Sequence, residues 1–157
     1  MRNSFTFLSI FRLFSYLLFD MKRAFCLLNH ILTEKQISEL KEKFGVKTIV
    51  YTPESLSKKW SQIPATPKID SNVISSTIQW LSVAQPGDIL IVQGEFGSTF
   101  VLVDYGLKNK LVPVHAVTKR VSEEKRSRNQ IIKQNVFKHV CFRKYEYFSE
   151  SFVNFSE

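Results

Sequence analysis

Three short apolar stretches of this chain end in residues whose types could carry out chemistry. Asn29-His30 follows the first stretch, Gln93-Gly94-Glu95-Phe96-Gly97 follows the second, and Thr118-Lys119-Arg120 follows the third. Glycine N–H groups can approach an anion closely, a helix N-terminus favours negative charge, and arginine and lysine neutralise phosphate. If the three stretches are neighbouring strands, these residues predict a site for a ligand that carries phosphate.

The glycine-containing segment from Gly94 to Gly97 is followed directly by Ser98, which would add a hydroxyl donor. The spacing of two glycines is weak evidence, because a plain tight turn is the alternative. Glu95 would also oppose an anion unless its carboxylate points away. The chain has neither the G-x-G-x-x-G pattern of dinucleotide sites nor a G-x-x-x-x-G-K-[ST] loop, so NAD and nucleoside triphosphates are not predicted ligands.

Histidine is the side chain that most often transfers protons near neutral pH, and the chain has three. His30 comes just after the first apolar stretch, and His139 lies among basic residues, so each is a candidate. His115 lies within an apolar stretch and is predicted to be a packing residue. The catalytic candidates are therefore His30, Lys119, Arg120 and His139, and the ligand-binding candidates are Asn29, Gln93, Gly94, Glu95, Phe96, Gly97, Ser98, Thr118 and Arg143.

Other chemistries have no matching residues. Cys26 and Cys141 form no C-x-x-C pair, so no metal site, cofactor or structural disulfide is predicted, and free thiols favour a reducing, cytoplasmic location. The sequence also lacks an H-E-x-x-H motif, a serine nucleophile elbow and a carboxylate pair typical of glycosidases.

The elements that must position these residues alternate between strand-length apolar runs and helix-period stretches, which is typical of parallel α/β folds. A helix is predicted from the Thr33 cap to a stop at Gly45, and a second one begins at Asp70 or Ser71. The stretch around Trp60 is predicted to be a polar connection. We expect a Rossmann-like, mainly parallel sheet of four strands flanked by helices, with strands at 24–28, 46–51, 89–92 and 111–117 and a helix after Gly97.

The C-terminal part of the chain predicts a β-hairpin or arm, with its turn near Ser127 to Gln130. The net charge is +8, and the stretch 107–145 holds eleven lysines and arginines but only two acidic residues, so the predicted partner is an anion. Phe137 and Phe142 alternate with basic residues there. Such alternation suits base stacking, but it also suits a half-buried strand, and packing is the favoured role for both.

The chain length predicts one domain, which we place at residues 21–147. Residues 1–20 include an apolar stretch that Arg12 interrupts, and that stretch is too short to cross a bilayer and has no signal-peptide cleavage site. We expect residues 1–20 to be an extension from an upstream start codon, with Met21 as the true start, and residues 148–157 to be a flexible tail. Neither a membrane nor double-stranded DNA is an expected partner.

Several segments together resemble a small CRISPR-associated Rossmann-like family of type III systems, related to the cyclic-oligoadenylate sensor domains called CARF. The likeness covers residues 21 to about 147. The segments that carry it are Leu27-Leu28-Asn29-His30, Trp60-Ser61-Gln62-Ile63-Pro64, Gln93-Gly94-Glu95-Phe96-Gly97, the stretch 112–120 and the stretch 136–145.

The resemblance implies a ring nuclease, an enzyme that linearises cyclic oligoadenylate and so ends type III antiviral signalling. It further implies a homodimer that holds the ring, most simply cyclic tetra-adenylate, on its two-fold axis above the strand ends and cleaves it without metal. The ring's own 2′-hydroxyl would attack the neighbouring phosphate. The alternatives are a protein that binds the ring without cutting it, a general RNA-binding module, and a structural protein.

Overall fold

The computed structural model describes residues 21–127 and 130–149, with the side chains of 125–133 left undescribed. Five strands and four helices lie in this part of the chain. In chain order they are β1 Arg23–Leu27, α1 Glu34–Phe44, β2 Thr48–Tyr51, α2 Glu54–Ser61, α3 Ser71–Leu81, β3 Ile89–Val92, α4 Phe96–Lys108, β4 Val112–Ser127 and β5 Gln130–Lys144.

The strands form one mixed sheet in the order β2-β1-β3-β4-β5. β1 pairs in parallel with β2 and β3, and β3 pairs in parallel with β4. β5 returns directly from β4 and therefore runs antiparallel to it. The α/β class is confirmed, but the prediction of a four-stranded sheet is wrong, because the C-terminal hairpin adds β5 to the sheet as a fifth strand.

Helices cover both faces of the sheet. α1 packs on one face, where the buried side chains include Cys26, Leu40, Ile91 and Phe142. The other three helices pack on the opposite face, where the buried side chains include Phe25, Trp60, Leu90 and Leu102. All four residues of β3 are fully buried, as expected for a central strand that is apolar on both sides.

Local signals set the ends of α1 as predicted. Thr33 and Gln36 form a reciprocal capping box at its start, and Gly45 closes its end in the left-handed conformation at φ 70°. The prediction of a polar connection around Trp60 is wrong, since α2 lies there. α2 has only eight residues and no side-chain cap, and packing of Leu56 and Trp60, one turn apart, holds it on the sheet.

The prediction that the fourth strand ends at Val117 is also wrong. β4 pairs with β3 only as far as Val114, but β5 continues to supply its hydrogen bonds to Ser127. The ribbon of residues 118–127 and 130–139, which we call the arm, therefore extends about 30 Å past the carboxyl ends of the parallel strands. Thr118-Lys119-Arg120 lies within the arm. The pairing of Ser127 with Gln130 confirms the predicted position of the turn.

No helix in the described ranges is long and apolar enough to cross a membrane. The predictions for residues 1–20 fall outside those ranges, as does most of the predicted tail, from residue 150 onward.

Candidate functional site

A cleft of about 670 Å³ opens at the carboxyl ends of β1 and β2. The chain order reverses between β1 and β3, and ligands of open α/β sheets bind at such a point. The cleft borders this point through the loop after β1 and extends from it toward β2. The loop after β1, the end of β2 and one side of α2 form the walls. The lining residues are Cys26, Leu28, Asn29, His30, Ile31, Tyr51, Thr52, Glu54, Ser57, Lys58 and Ser61.

Two predicted site residues, Asn29 and His30, line this cleft, and both are exposed to solvent. The residues that sequence reasoning missed come from β2 and α2. The sequence did contain a signal for α2, which is the spacing of Leu56 and Trp60 after Pro53. This spacing predicts a helix that buries Leu56 and Trp60 and places Ser57 and Ser61 next to them.

Hydrogen bonds hold the walls of the cleft together. The Thr52 hydroxyl donates to the Cys26 carbonyl at 3.3 Å, which ties the end of β2 to β1. Burial and the nearby Cys26 raise the pKa of Tyr51, while a hydrogen bond from the Leu32 backbone to its hydroxyl acts the other way. Burial also raises the pKa of Cys26 to about 12, so its thiol stays protonated and is a poor nucleophile.

The glycine segment after β3 does not offer free N–H groups to an anion. The Glu95 carboxylate caps α4 and accepts from the Gly97 N–H at 2.8 Å and the Ser98 N–H at 2.7 Å. These backbone hydrogen bonds lower the pKa of Glu95. An external phosphate would have to displace this carboxylate, so the donors predicted for a phosphate are already bonded within the protein.

Gln93 and Gly94 connect the elements around the cleft. The Trp60 indole N–H donates to the Gln93 carbonyl at 3.2 Å, and the Gln93 side-chain oxygen accepts from the Ala116 N–H at 3.3 Å. A Cβ on Gly94 would lie 2.7 Å from the Trp60 ring. Close packing against Trp60 therefore accounts for glycine at this position. Phe96, by contrast, is 92% exposed at the start of α4.

The structure places His139 in the packing between α1 and β5, and it does not line the cleft. Its Nε2 lies 2.7 Å from the Glu39 carboxylate, which also accepts from the Phe142 N–H at 3.2 Å. The Lys35 ammonium donates to the His139 carbonyl at 2.8 Å. We call these contacts the α1–β5 clamp. The His139 Nδ1 atom is buried and has no hydrogen-bond partner among the described residues.

A β-bulge makes the clamp possible. Val117 pairs with Cys141 and Thr118 pairs with His139, so Val140 is left without a partner. The extra residue turns both His139 and Phe142, three positions apart, toward α1, and their rings lie 4.8 Å apart. Burial opposes ionisation of Glu39, but hydrogen bonds from His139, the Phe142 N–H and Lys43 together lower its pKa.

The basic candidates lie on β4 and β5. Thr118, Lys119 and Arg120 are exposed near the base of the arm, and Arg143 is exposed on β5 opposite His115. Burial and the charge of Arg143 lower the pKa of His115, whose ring lies 4.9 Å from that of Tyr145. Thr118, at the base of the arm, lies two strand spacings to the side of the end of β1 and three residues further along, so the two points are about 14 Å apart.

The packing role predicted for both phenylalanines of β5 holds for one of them. Phe142 is buried in the core beneath α1, whereas Phe137, opposite Arg120 on the arm, is 67% exposed. Within residues 21–127 and 130–149, no three His, Cys, Asp or Glu side chains cluster closely enough to hold a metal ion.

Comparison with known proteins links most of this chain to one family. Residues 22–143 match the family described as "Uncharacterized protein MJ1673 family". A protein of Methanocaldococcus jannaschii, described as "Uncharacterized protein MJ1673", is 34% identical over 128 residues, which cover 80% of this chain and 98% of the relative. No solved structure matches significantly.

Proposed function

This chain belongs to the MJ1673 protein family, and we propose that it binds cyclic oligoadenylates and cleaves them to linear products. The observation that carries the proposal is the shared position of the cleft and the arm. Both lie at the carboxyl edge of the sheet, where a ligand could contact the cleft with one part and the basic arm with another. The sequence resemblance to ring nucleases of type III CRISPR systems supports the choice of ligand.

The order of the four parallel strands also supports a Rossmann-like assignment. β2-β1-β3-β4 with helices on both faces is the arrangement of doubly wound sheets that bind nucleotides at the reversal point. On this assignment the protein acts in the cytoplasm as a CARF-related domain, where the thiols of Cys26 and Cys141 are kept reduced.

Charge supports an oligonucleotide ligand, because each nucleotide of a ring carries one negative charge. Lys119, Arg120 and Arg143 are exposed at or near the base of the arm, and an arginine can donate two parallel hydrogen bonds to one phosphate. A homodimer would present each of these cations twice. The two-fold symmetry would then match that of a ring with four adenylates.

The proposed reaction uses a nucleophile from the substrate. The ring's 2′-oxygen forms a bond to the adjacent phosphorus as the bond from phosphorus to the 5′-oxygen breaks, leaving a 2′,3′-cyclic phosphate and a 5′-hydroxyl. The 2′-hydroxyl loses its proton and the 5′-oxygen gains one. His30, exposed in the cleft, is the candidate for this proton transfer, and Arg120 and Lys119 are the candidates for stabilising charge on the phosphate.

The test is to incubate the full chain with cyclic tri-, tetra- and hexa-adenylate, with and without EDTA, and to separate the products by chromatography and mass spectrometry. We expect linear products with 2′,3′-cyclic phosphate ends from cyclic tetra-adenylate, in EDTA as well as without it. Absence of cleavage for every ring would contradict the enzyme proposal, and strict dependence on Mg²⁺ or Mn²⁺ would contradict the metal-independent mechanism.

A second candidate function is binding without cleavage. It is favoured by the position of His139, which the α1–β5 clamp buries, so that one of the two predicted proton-transfer residues does not line the cleft. Saturable binding of a ring that is recovered intact would support this function. If linear RNA binds as tightly as the ring, and with a steep salt dependence, the arm is instead a general RNA-binding element.

A further inference from the structure

Besides His30, the cleft at the ends of β1 and β2 is lined by other side chains that could bind a ligand. We infer that it is a nucleobase pocket, in which one adenine of the ligand stacks on Tyr51. The inference deepens the proposed function and rests on it for the identity of the base. Neither Tyr51 nor α2 was predicted to belong to a site.

The size of the cleft fits one nucleotide and excludes a whole ring. Its volume of about 670 Å³ lies within the range of pockets that enclose one drug-sized molecule, roughly 300–1,000 Å³. A cyclic tetra-adenylate has four times the atoms of one nucleotide. A ring held at this edge could therefore place one base in the cleft of each chain while its phosphates remain outside.

Tyr51 has the properties of a stacking platform. It is the last residue of β2 and pairs with Cys26 of β1, so its backbone is held in the sheet. The Leu32 backbone lies beside its hydroxyl. The side chain lines the cleft and is 43% exposed, which leaves ring surface available. Because only two side-chain torsions position its ring, a tyrosine loses little entropy when a base stacks on it.

Polar groups around Tyr51 match the edges of a nucleoside. The Asn29 amide carries a donor and an acceptor, the combination that pairs with N7 and the 6-amino group of adenine. The Ser57 hydroxyl and the Glu54 carboxylate can bond to the ribose, and the Ser61 hydroxyl, which donates to the Lys58 carbonyl at 2.9 Å, can still accept a hydrogen bond from it. Lys58, on the same wall, supplies a positive charge for the attached phosphate.

The experiment measures binding of adenosine monophosphate and of cyclic tetra-adenylate to the full chain by calorimetry, comparing Tyr51→Ala, Tyr51→Phe and Tyr147→Ala. Tyr147 is an exposed tyrosine that does not line the cleft, so it is the matched control. Stacking of one base is worth about 5- to 150-fold in affinity. We expect Tyr51→Ala to weaken both ligands at least fivefold, Tyr51→Phe to lose less than threefold, and Tyr147→Ala to bind like the parent.

A second measurement uses the unmodified protein, so its result does not depend on whether the Tyr51→Ala variant folds. The photoreactive probe 8-azido-adenosine monophosphate should label peptides that contain Tyr51 or α2, and excess adenosine monophosphate should block the labelling more strongly than uridine monophosphate. Labelling confined to other peptides, or no labelling, would overturn the inference.

The two proposals fail in different ways. If cyclic tetra-adenylate binds and Tyr51→Ala binds it unchanged, the nucleobase pocket is wrong and the proposed function stands. If 8-azido-adenosine monophosphate labels the cleft but no cyclic oligoadenylate binds, the pocket stands and the proposed function is wrong.

Discussion

At Gly94, packing against Trp60 leaves no room for a side chain. A Cβ at this position would lie 2.7–2.8 Å from three atoms of the Trp60 ring, and that ring is buried and hydrogen-bonded to the Gln93 carbonyl. We predict that Gly94→Ala lowers the free energy of unfolding by about 1–3 kcal/mol, because the Trp60 ring must move. Urea unfolding followed by tryptophan fluorescence measures the change.

Gly97→Ala is the matched control. A Cβ on Gly97 would lie 3.3 Å from the Ile69 side chain and the Glu95 carboxylate, which can adjust, and alanine is favoured over glycine within a helix. The Gly97 substitution should cost less than the Gly94 substitution. The opposite order would mean that the loop, and not the contact with Trp60, determines the requirement for glycine.

Arg120 tests the role of the guanidinium group at the base of the arm. Arg120→Lys keeps the positive charge but loses the planar donor pair, so we predict a loss of about 1–2 kcal/mol in binding cyclic tetra-adenylate, or about 5- to 30-fold. Lys125→Ala and Arg126→Ala, nearer the turn, should change binding little. Filter binding and single-turnover cleavage measure both effects, and a larger loss in the turn variants would place the ligand along the arm.

At the scale of elements, the α1–β5 clamp joins a helix to the edge strand through one buried carboxylate. Glu39→Ala would leave His139 and the Phe142 N–H buried without their acceptor, so we predict a loss of about 3 kcal/mol in unfolding free energy. Lys41→Ala, on the exposed side of α1, should stay close to the parent. Hydrogen exchange should show faster opening of β5 in Glu39→Ala, and unchanged exchange there would contradict the clamp.

The same carboxylate predicts a dependence of stability on pH. The pKa of Glu39 is lower in the folded protein than its ordinary value, so its ionised form stabilises the fold. This stabilisation is fully present above the ordinary carboxyl pKa, about 4.3, and is lost as the pH falls through the lower folded pKa. In thermal unfolding across this range, Glu39→Gln should lose less stability than the parent, and equal losses would assign the acid sensitivity to other carboxyls.

At the scale of the whole molecule, the cleft lies toward one side of the sheet edge and the arm lies toward the other. A ring held on a two-fold axis would contact both features from two copies. We predict a complex of two chains and one cyclic tetra-adenylate at saturation, measured by native mass spectrometry. A limiting stoichiometry of one ring for each chain would contradict the symmetric arrangement.

Features set by neighbouring residues could be predicted from the sequence by itself. The caps of α1 at Thr33 and Gly45, the buried run of β3 and the position of the hairpin turn depend on local conformational preference and hydrophobic pattern. Asn29 and His30 could be placed at a strand end for the same reason. An apolar strand followed by polar residues can be recognised in the sequence without knowing which strands pair with it.

Features that depend on partners far along the chain were decided by the tertiary structure. Glu39 and His139 meet across 100 positions because the sheet order places β5 beneath α1 and a bulge rotates His139 inward. α2 forms because the sheet accepts Leu56 and Trp60, and it brings Ser57 to Tyr51. β4 continues past its parallel neighbour because β5 completes its hydrogen bonds. In each case the stabilising partner is supplied by packing, which local sequence does not encode.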